Sequence, residues 1–324
     1  MTRTAFLFPG QGSQIVGMGR DLCESFAAAR ECFARASKVL GFDLSRICFE
    51  DPEDALQLTA NLQPALLTTS VAAYRALTSD SGLLPDFVAG HSLGEWSALV
   101  AAGSLDFDDA VRLVRLRGTA MQEAVPPGKG AMSAVLGLDG ETVAGICARV
   151  TAEMDGEEIV VPANLNGAGQ VVISGTRDAV ARAAIALKAE GAKRAMPLPV
   201  SAPFHSPLME SAARRLADAL AGVSIAPPRV PVVCNADARP CEDPEEIRER
   251  LVAQVTAPVL WEASLLEMSG GGVAHFIEVG PGRVLSGILK RVIPGVRFSL
   301  CGDTGQIRAL AAEFPRGAGS EAEA

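Results

Sequence analysis

The chain is 324 residues long, with 48 % apolar and 5 % aromatic residues and a net charge of −9. That length can bury a substantial core, and the composition fits an α/β protein filled by Ala, Val and Leu. The acidic balance with scattered basic residues argues against nucleic acid as a partner. The apolar start is too short for a signal peptide, and no charge-free stretch reaches membrane-spanning length.

In chain order, Thr4–Phe8 reads as a buried strand that runs into the glycine-rich loop Pro9-Gly10-Gln11-Gly12-Ser13-Gln14. No Gly-Lys-Ser/Thr follows, so a phosphate-binding loop is not indicated. Asp21–Leu40 and Gln63–Leu77 have helical periodicity. Seven cysteines, Cys23, Cys32, Cys48, Cys147, Cys234, Cys241 and Cys301, are spread without a C-x-x-C pair. This suits reduced cytoplasmic thiols rather than disulfides or a metal site.

Phe87–Ala89 is a short apolar strand that stops at Gly90, and a helical pattern over 93–102 starts at once. Between them, Gly90-His91-Ser92-Leu93-Gly94 matches G-x-S-x-G, the strand-to-helix elbow that presents a serine hydroxyl above a sheet edge. The pattern is loose in a chain with 32 glycines, but here the strand before and the helix after supply the context it requires. Free N–H groups at the start of the helix would favour negative charge on whatever Ser92 holds.

Asp106 opens the next helix. Projected at about 100° per residue, its apolar face holds Ala110, Val111, Leu113, Val114, Ala120 and Met121. Arg112 and Arg115 fall opposite, as solvated arginines should, whereas Arg117 falls amid the apolar face. A buried guanidinium keeps its charge and needs an anion. Either an internal carboxylate or a substrate carboxylate would serve, and the helical pattern does not choose between them.

After Pro126-Pro127-Gly128-Lys129-Gly130 the order changes. Strand Ala131–Leu138, helix Gly140–Val150, strands Ile159–Asn164 and Gln170–Ser174 about a turn at Gly167-Ala168-Gly169, helix Asp178–Glu190 and strand Arg194–Leu198 spell β-α-β-β-α-β. That is the ferredoxin-like order. The larger pattern resumes with a helix over Pro207–Ala221 and strands at Val230–Cys234 and Ala274–Val279. The expected organisation is an α/β domain from 1–128 and 199–314, a ferredoxin-like insert at 129–198, and a disordered tail at 315–324.

A nucleophilic serine needs a base, and there are three histidines. His91 should point away from Ser92 within the elbow, and His275 in its apolar strand reads as a hydrogen-bonded core residue. His205 precedes Ser206-Pro207, a cap and first-turn proline pair, so it sits at a helix N-terminus that would help keep the ring neutral.

Taken together, the chain resembles the malonyl-CoA:acyl-carrier-protein transacylase family of fatty-acid and polyketide synthesis, from about Phe8 to about Ile288. The motifs are Phe8-Pro9-Gly10-Gln11-Gly12-Ser13-Gln14, Gln63-Pro64-Ala65, Gly90-His91-Ser92-Leu93-Gly94-Glu95, Arg117, Gln170-Val171-Val172-Ile173-Ser174-Gly175, Pro203-Phe204-His205-Ser206 and Glu278-Val279-Gly280-Pro281-Gly282. Singly they are weak; in order they are specific. The resemblance implies a hydrolase-like α/β domain carrying the ferredoxin-like insert. It implies Ser92 as nucleophile, His205 as base and the N–H groups of Gln11 and Leu93 as oxyanion hole. Arg117 would bind the malonyl carboxylate, with Gln63, Met121 and Phe204 as substrate contacts, and a backbone carbonyl at Gln254 would orient the histidine. No cofactor or metal is implied. The partners would be malonyl-CoA and a carrier protein acting in trans, with a monomer as the default state. Trp96, where tyrosine is usual, and Ala257-Pro258-Val259, for a common Asn-Pro-Val, depart from the pattern. A serine hydrolase or thioesterase acting on acyl thioesters is the alternative, with a non-catalytic carrier-binding subunit behind it; Arg117 speaks against the first, and the presence of both Ser92 and His205 against the second.

Overall fold

The computed structural model describes residues 2–154, 158–200 and 202–315. Among the described residues ten strands form two sheets: β1 Arg3–Phe8, β2 Phe87–Gly90, β3 Gly130–Leu136, β4 Val160–Gly167, β5 Gln170–Thr176, β6 Arg194–Pro197, β7 Val232–Val233, β8 Pro240–Cys241, β9 Val273–Val279 and β10 Arg297–Cys301. The larger sheet runs β10-β9-β1-β2-β7-β8 and is parallel except for β8. Two of its central strands, β1 from Ala5 to Phe8 and β2, are apolar runs, as expected of strands covered on both faces, whereas β9 carries the buried His275 and Glu278. One face packs against the long helices Thr59–Ser81 and Phe107–Glu123 around Phe6, Phe8 and Trp96. The other packs through Leu7, Trp261 and Phe276.

The smaller sheet, β4-β5-β3-β6, is antiparallel throughout, with helices Gly140–Ala152 and Arg177–Ala189 enclosing a core of its own. This is the ferredoxin-like order, set within a hydrolase-like α/β unit, so the fold expected from the sequence is the one found. Backbone bonds from Val259 to Ala163 and from Leu165 to Val259 tie the smaller sheet to the larger unit.

The boundaries differ in instructive places. The expected helix Asp21–Leu40 is two, Arg20–Ser25 and Ala27–Leu40. Phe26 between them is extended, with φ −124°, and its ring packs on the core. Gln63–Leu77 extends to Thr59–Ser81; this helix is buried around most of its circumference, so periodicity does not mark its ends. The strand at Val230–Cys234 shrinks to Val232–Val233. Pro207–Ala221 begins as a 3-10 turn, Pro207–Met209, before the α-helix Glu210–Ala221. Ser206 does not cap it; its hydroxyl turns back to the carbonyl of Pro203 at 2.6 Å. Helices Pro244–Ala253, Trp261–Gly270, Val284–Val292 and Thr304–Glu313 join those named. Of the expected tail, residues 316–324 lie outside the described residues. Among the described residues, no helix is long and apolar enough to cross a membrane.

Candidate active site

The loops after β1 and β2, which leave neighbouring parallel strands at their C-terminal ends, meet at one cleft, where α/β sheets commonly bind ligands. The elbow is tight. A Cβ at Gly90 would lie 1.9 Å from the backbone of Gly94, and one at Gly94 would lie 1.9 Å from the carbonyl oxygen of Phe8. Ser92 is held at φ 50°, a left-handed conformation costly for a residue with a side chain. Asn235 secures it: its Oδ1 accepts the Ser92 N–H at 2.7 Å, and its Nδ2 donates to the Gly90 carbonyl at 2.7 Å.

His205 arrives from the far side of the cleft, also left-handed at φ 57°. Its Nδ1 lies 2.8 Å from the backbone carbonyl of Gln254, which can only accept, so Nδ1 carries the proton. Nε2 is then free to accept the Ser92 hydroxyl proton across 2.8 Å. The ring is 3 % exposed. Burial, and then the nearby charge of Arg117, push its pKa down to about 3, so it is neutral at physiological pH. The largest causes are desolvation and a cation, neither of which the sequence suggested; the helix terminus expected after His205 begins as a 3-10 turn, Pro207–Met209.

Arg117 reaches the same point from its helix and is 2 % exposed. It donates to Gln63 Oε1 at 2.9 Å, to Gln254 Oε1 at 3.0 Å and to Ser92 Oγ at 3.1 Å. Among the described residues every hydrogen-bond partner of Arg117 is neutral, and its Nε has none. Burial pulls its pKa down to about 10, with Glu95 acting against this, so it stays charged at neutral pH. Arg112 pairs with Asp109 on the surface. Arg115, expected in solvent, is instead half-buried, bonded to Asn61 and set over the Phe42 ring.

A cavity of about 230 Å³ opens beside these groups, lined by Gln11, Gln63, Ser92, Arg117, Met121 and Phe204 among others. Met132 and Asn164 from the smaller sheet close it. The backbone N–H groups of Gln11 and Leu93 have no acceptor among the described residues. Gln63 is 3 % exposed, and its amide nitrogen is 3.8 Å from Met121 Sδ. The structure thus brings together Ser92, His205, Arg117, Gln63, Gln254, Met121, Phe204, Gln11 and Leu93. His91 bonds Asn166 through Nε2 at 2.9 Å rather than Ser92, although it also borders the cavity. His275 is buried against Ser299 at 2.9 Å.

Two residues of the network were given no role from the sequence. Glu95, 1 % exposed, accepts the Asn235 backbone N–H at 2.8 Å and Gln254 Nε2 at 3.0 Å. A carboxylate in a helix otherwise made of Gly, Trp, Ser, Ala, Leu and Val was a readable signal. Asn235 follows a two-residue strand and offered none. Among the described residues, no group of His, Cys, Asp or Glu is placed to hold a metal.

Residues 5–297 match the acyl transferase domain family. The chain is 50 % identical over 293 residues to the malonyl CoA-acyl carrier protein transacylase of Escherichia coli K12, covering 90 % of this chain and 94 % of that protein. It is 50 % identical over 292 residues to the protein of the same name from Bacillus subtilis, covering 90 % and 91 %. The malonyl CoA-acyl carrier protein transacylase structure from Coxiella burnetii superposes with a TM-score of 0.93 at 41 % identity, over 97 % of this chain and 98 % of that one. A malonyl-transacylase solved in complex with a type II PKS acyl-carrier protein gives 0.93 at 45 % identity, over 96 % and 100 %. With the elbow, the buried arginine and the cleft in place, this extent of match makes the chain a member of the acyl transferase domain family.

Proposed function

We propose that the protein moves a malonyl group from malonyl-CoA to the pantetheine thiol of an acyl carrier protein, through an ester on Ser92. His205 Nε2 takes the Ser92 proton as the oxygen attacks the thioester carbonyl. The carbonyl electrons move to oxygen, and the N–H groups of Gln11 and Leu93 receive that charge. The tetrahedral intermediate collapses, the coenzyme A thiolate leaves, and the proton on His205 neutralises it. The carrier thiol then repeats the sequence against the serine ester. One thioester is exchanged for another, so no cofactor enters the balance. Gln254 holds the imidazole in the tautomer that accepts, in the role an aspartate fills in a Ser-His-Asp triad.

Arg117 receives the malonyl carboxylate, with Gln63 and Met121 beside it and Phe204 against the α-carbon. The unit at 129–198 works as an inserted domain that closes the cleft, and the unpaired cysteines favour a reducing, cytoplasmic setting. The observation that carries the reading is a buried guanidinium beside the serine whose hydrogen-bond partners among the described residues are all neutral. A hydrolase of unsubstituted acyl groups has no use for it.

Arg117→Ala tests this. It should cost malonyl transfer about 2–5 kcal/mol, roughly one to four orders of magnitude in kcat/KM. Acetyl transfer should hold or rise. An unchanged malonyl-to-acetyl ratio would reduce Arg117 to a structural residue.

A further inference from the structure

Glu95 has no part in the steps above, yet it stands inside their network. It lies in the first turn of helix Gly94–Ala101, sealed from water. Its Oε2 accepts from Asn235 N and from Gln254 Nε2. Gln254 turns its other end, Oε1, to Arg117 Nη2 at 3.0 Å. The amide therefore lies between a buried carboxylate and a buried guanidinium. Flipping it would face N–H against N–H and oxygen against carboxylate, so the two charges fix one orientation. The same side chain donates to the Ser92 carbonyl at 3.0 Å, and the same residue's backbone carbonyl holds His205.

We propose that Glu95 is a positioning residue and the counter-charge of Arg117 while the cleft is empty, and that it takes up a proton when a substrate carboxylate settles on Arg117. This rests on the reading that Arg117 binds that carboxylate. Once it does, one cation serves two carboxylates, and the one without access to water is the less costly to neutralise. The proton comes from solvent and can reside on Oε1, which leaves both bonds on Oε2 intact.

The other groups around Glu95 offer it no competing cation. Cys234, from the segment carrying Asn235, is a thiol driven far up by burial and stays neutral. Asp237 would raise Glu95, but it is paired with Arg250 at 2.9 Å, and Arg250 also meets Glu246 at 3.3 Å. His205, on the far side of Gln254, is neutral. With the cleft empty, burial already lifts Glu95 to about 7, with hydrogen bonds from Asn235 and Gln254 and the charge of Arg117 opposing. Loading weakens that last opposition. Uptake should therefore be largest above pH 7, where malonyl affinity falls as pH rises, by at most about tenfold per pH unit.

The test uses Ser92→Ala protein, which binds without acyl transfer. Malonyl-CoA and acetyl-CoA are titrated calorimetrically at pH 8 in buffers of different ionisation enthalpy. Both ligands carry the same coenzyme A phosphates, so the difference reports the acyl carboxylate. The expected result is an excess uptake for malonyl-CoA of several tenths of a proton, up to about one, abolished when Glu95→Gln is added. Equal uptake for the two ligands, with malonyl-CoA still the tighter, overturns the inference and leaves the role of Arg117 standing. Excess uptake that survives Glu95→Gln overturns it as well. Malonyl-CoA binding no tighter than acetyl-CoA overturns the reading of Arg117 and the inference with it. The two-ligand comparison needs no change at Glu95, so poor folding of Glu95→Gln would not shield the inference.

Discussion

Ser92 and His205 share an unusual backbone, both left-handed; Asn235 accepts the Ser92 N–H, and the Gln254 carbonyl accepts from the His205 ring. Their cost is one the rest of the fold must offset. For His205 there is a second cost, a pKa pushed down to about 3 from an ordinary 6.5. The folded state then binds fewer protons than the unfolded chain between these values, so this residue's contribution to stability is complete above 6.5 and is lost as pH falls toward 3. Glu95, raised to about 7 from 4.5, acts with the opposite sign between those two values. The wild-type slope alone is therefore uninformative, and the comparison with His205→Gln isolates the histidine. Denaturant unfolding at pH 7 and pH 5 should show wild type losing more stability on acidification than His205→Gln, and equal losses would remove the depressed pKa. Phe204 makes a separate prediction. It borders the cavity at 9 % exposure and should crowd an α-methyl group by about 1–3 kcal/mol. Phe204→Ser should improve methylmalonyl over malonyl loading by roughly 5- to 150-fold; an unchanged ratio of kcat/KM would contradict that. Ser92, His205 and Arg117 were legible because each breaks its local pattern: a serine between glycines, a histidine before a proline turn, a cation in an apolar stripe. Asn235 was not, since nothing local distinguishes an asparagine after a short strand from any loop residue.

At the scale of elements, the glycines of the elbow are steric requirements. An added methyl at Gly94 would meet the Phe8 carbonyl of the neighbouring strand at 1.9 Å, and backbone cannot step aside as a side chain can. Gly94→Ala should cost at least about 1–3 kcal/mol and abolish acyl loading. Gly145, in the exposed face of helix Gly140–Ala152 with nothing within 4 Å, is the control. Gly145→Ala should gain about 0.5–1 kcal/mol with loading unchanged. Thermal unfolding of the two variants separates the cases, and a neutral Gly94→Ala would mean that the elbow is looser than described. Element types could be read where burial is one-sided, as in helix Phe107–Glu123. They blurred where burial is all-round, as at the ends of Thr59–Ser81. The break at Phe26 is a tertiary event: one ring seeks the core, and the helical pattern on either side continues regardless.

At the scale of the molecule, the chain leaves the parallel sheet after Phe107–Glu123, builds a second sheet with its own core, and returns to deliver His205. That excursion was visible in the sequence because β-α-β-β-α-β is a closed order that follows the break at Pro126-Pro127-Gly128-Lys129-Gly130. How its sheet docks was not visible: the Val259 backbone reaches Ala163 and Leu165 through amides that carry no sequence signal. Docking places Met132 and Asn164 at the cleft, so the proposed acyl pocket belongs to neither sheet alone. The central claim is a covalent malonyl group passed from Ser92 to a carrier. Intact-protein mass spectrometry with peptide mapping, after mixing with malonyl-CoA and again after adding a phosphopantetheinyl carrier protein, tests it most directly. The account predicts one malonyl adduct on the Ser92 peptide, absent in Ser92→Ala, that moves to the carrier. An adduct on another residue, no adduct at all, or loss to water with none gained by the carrier would contradict it.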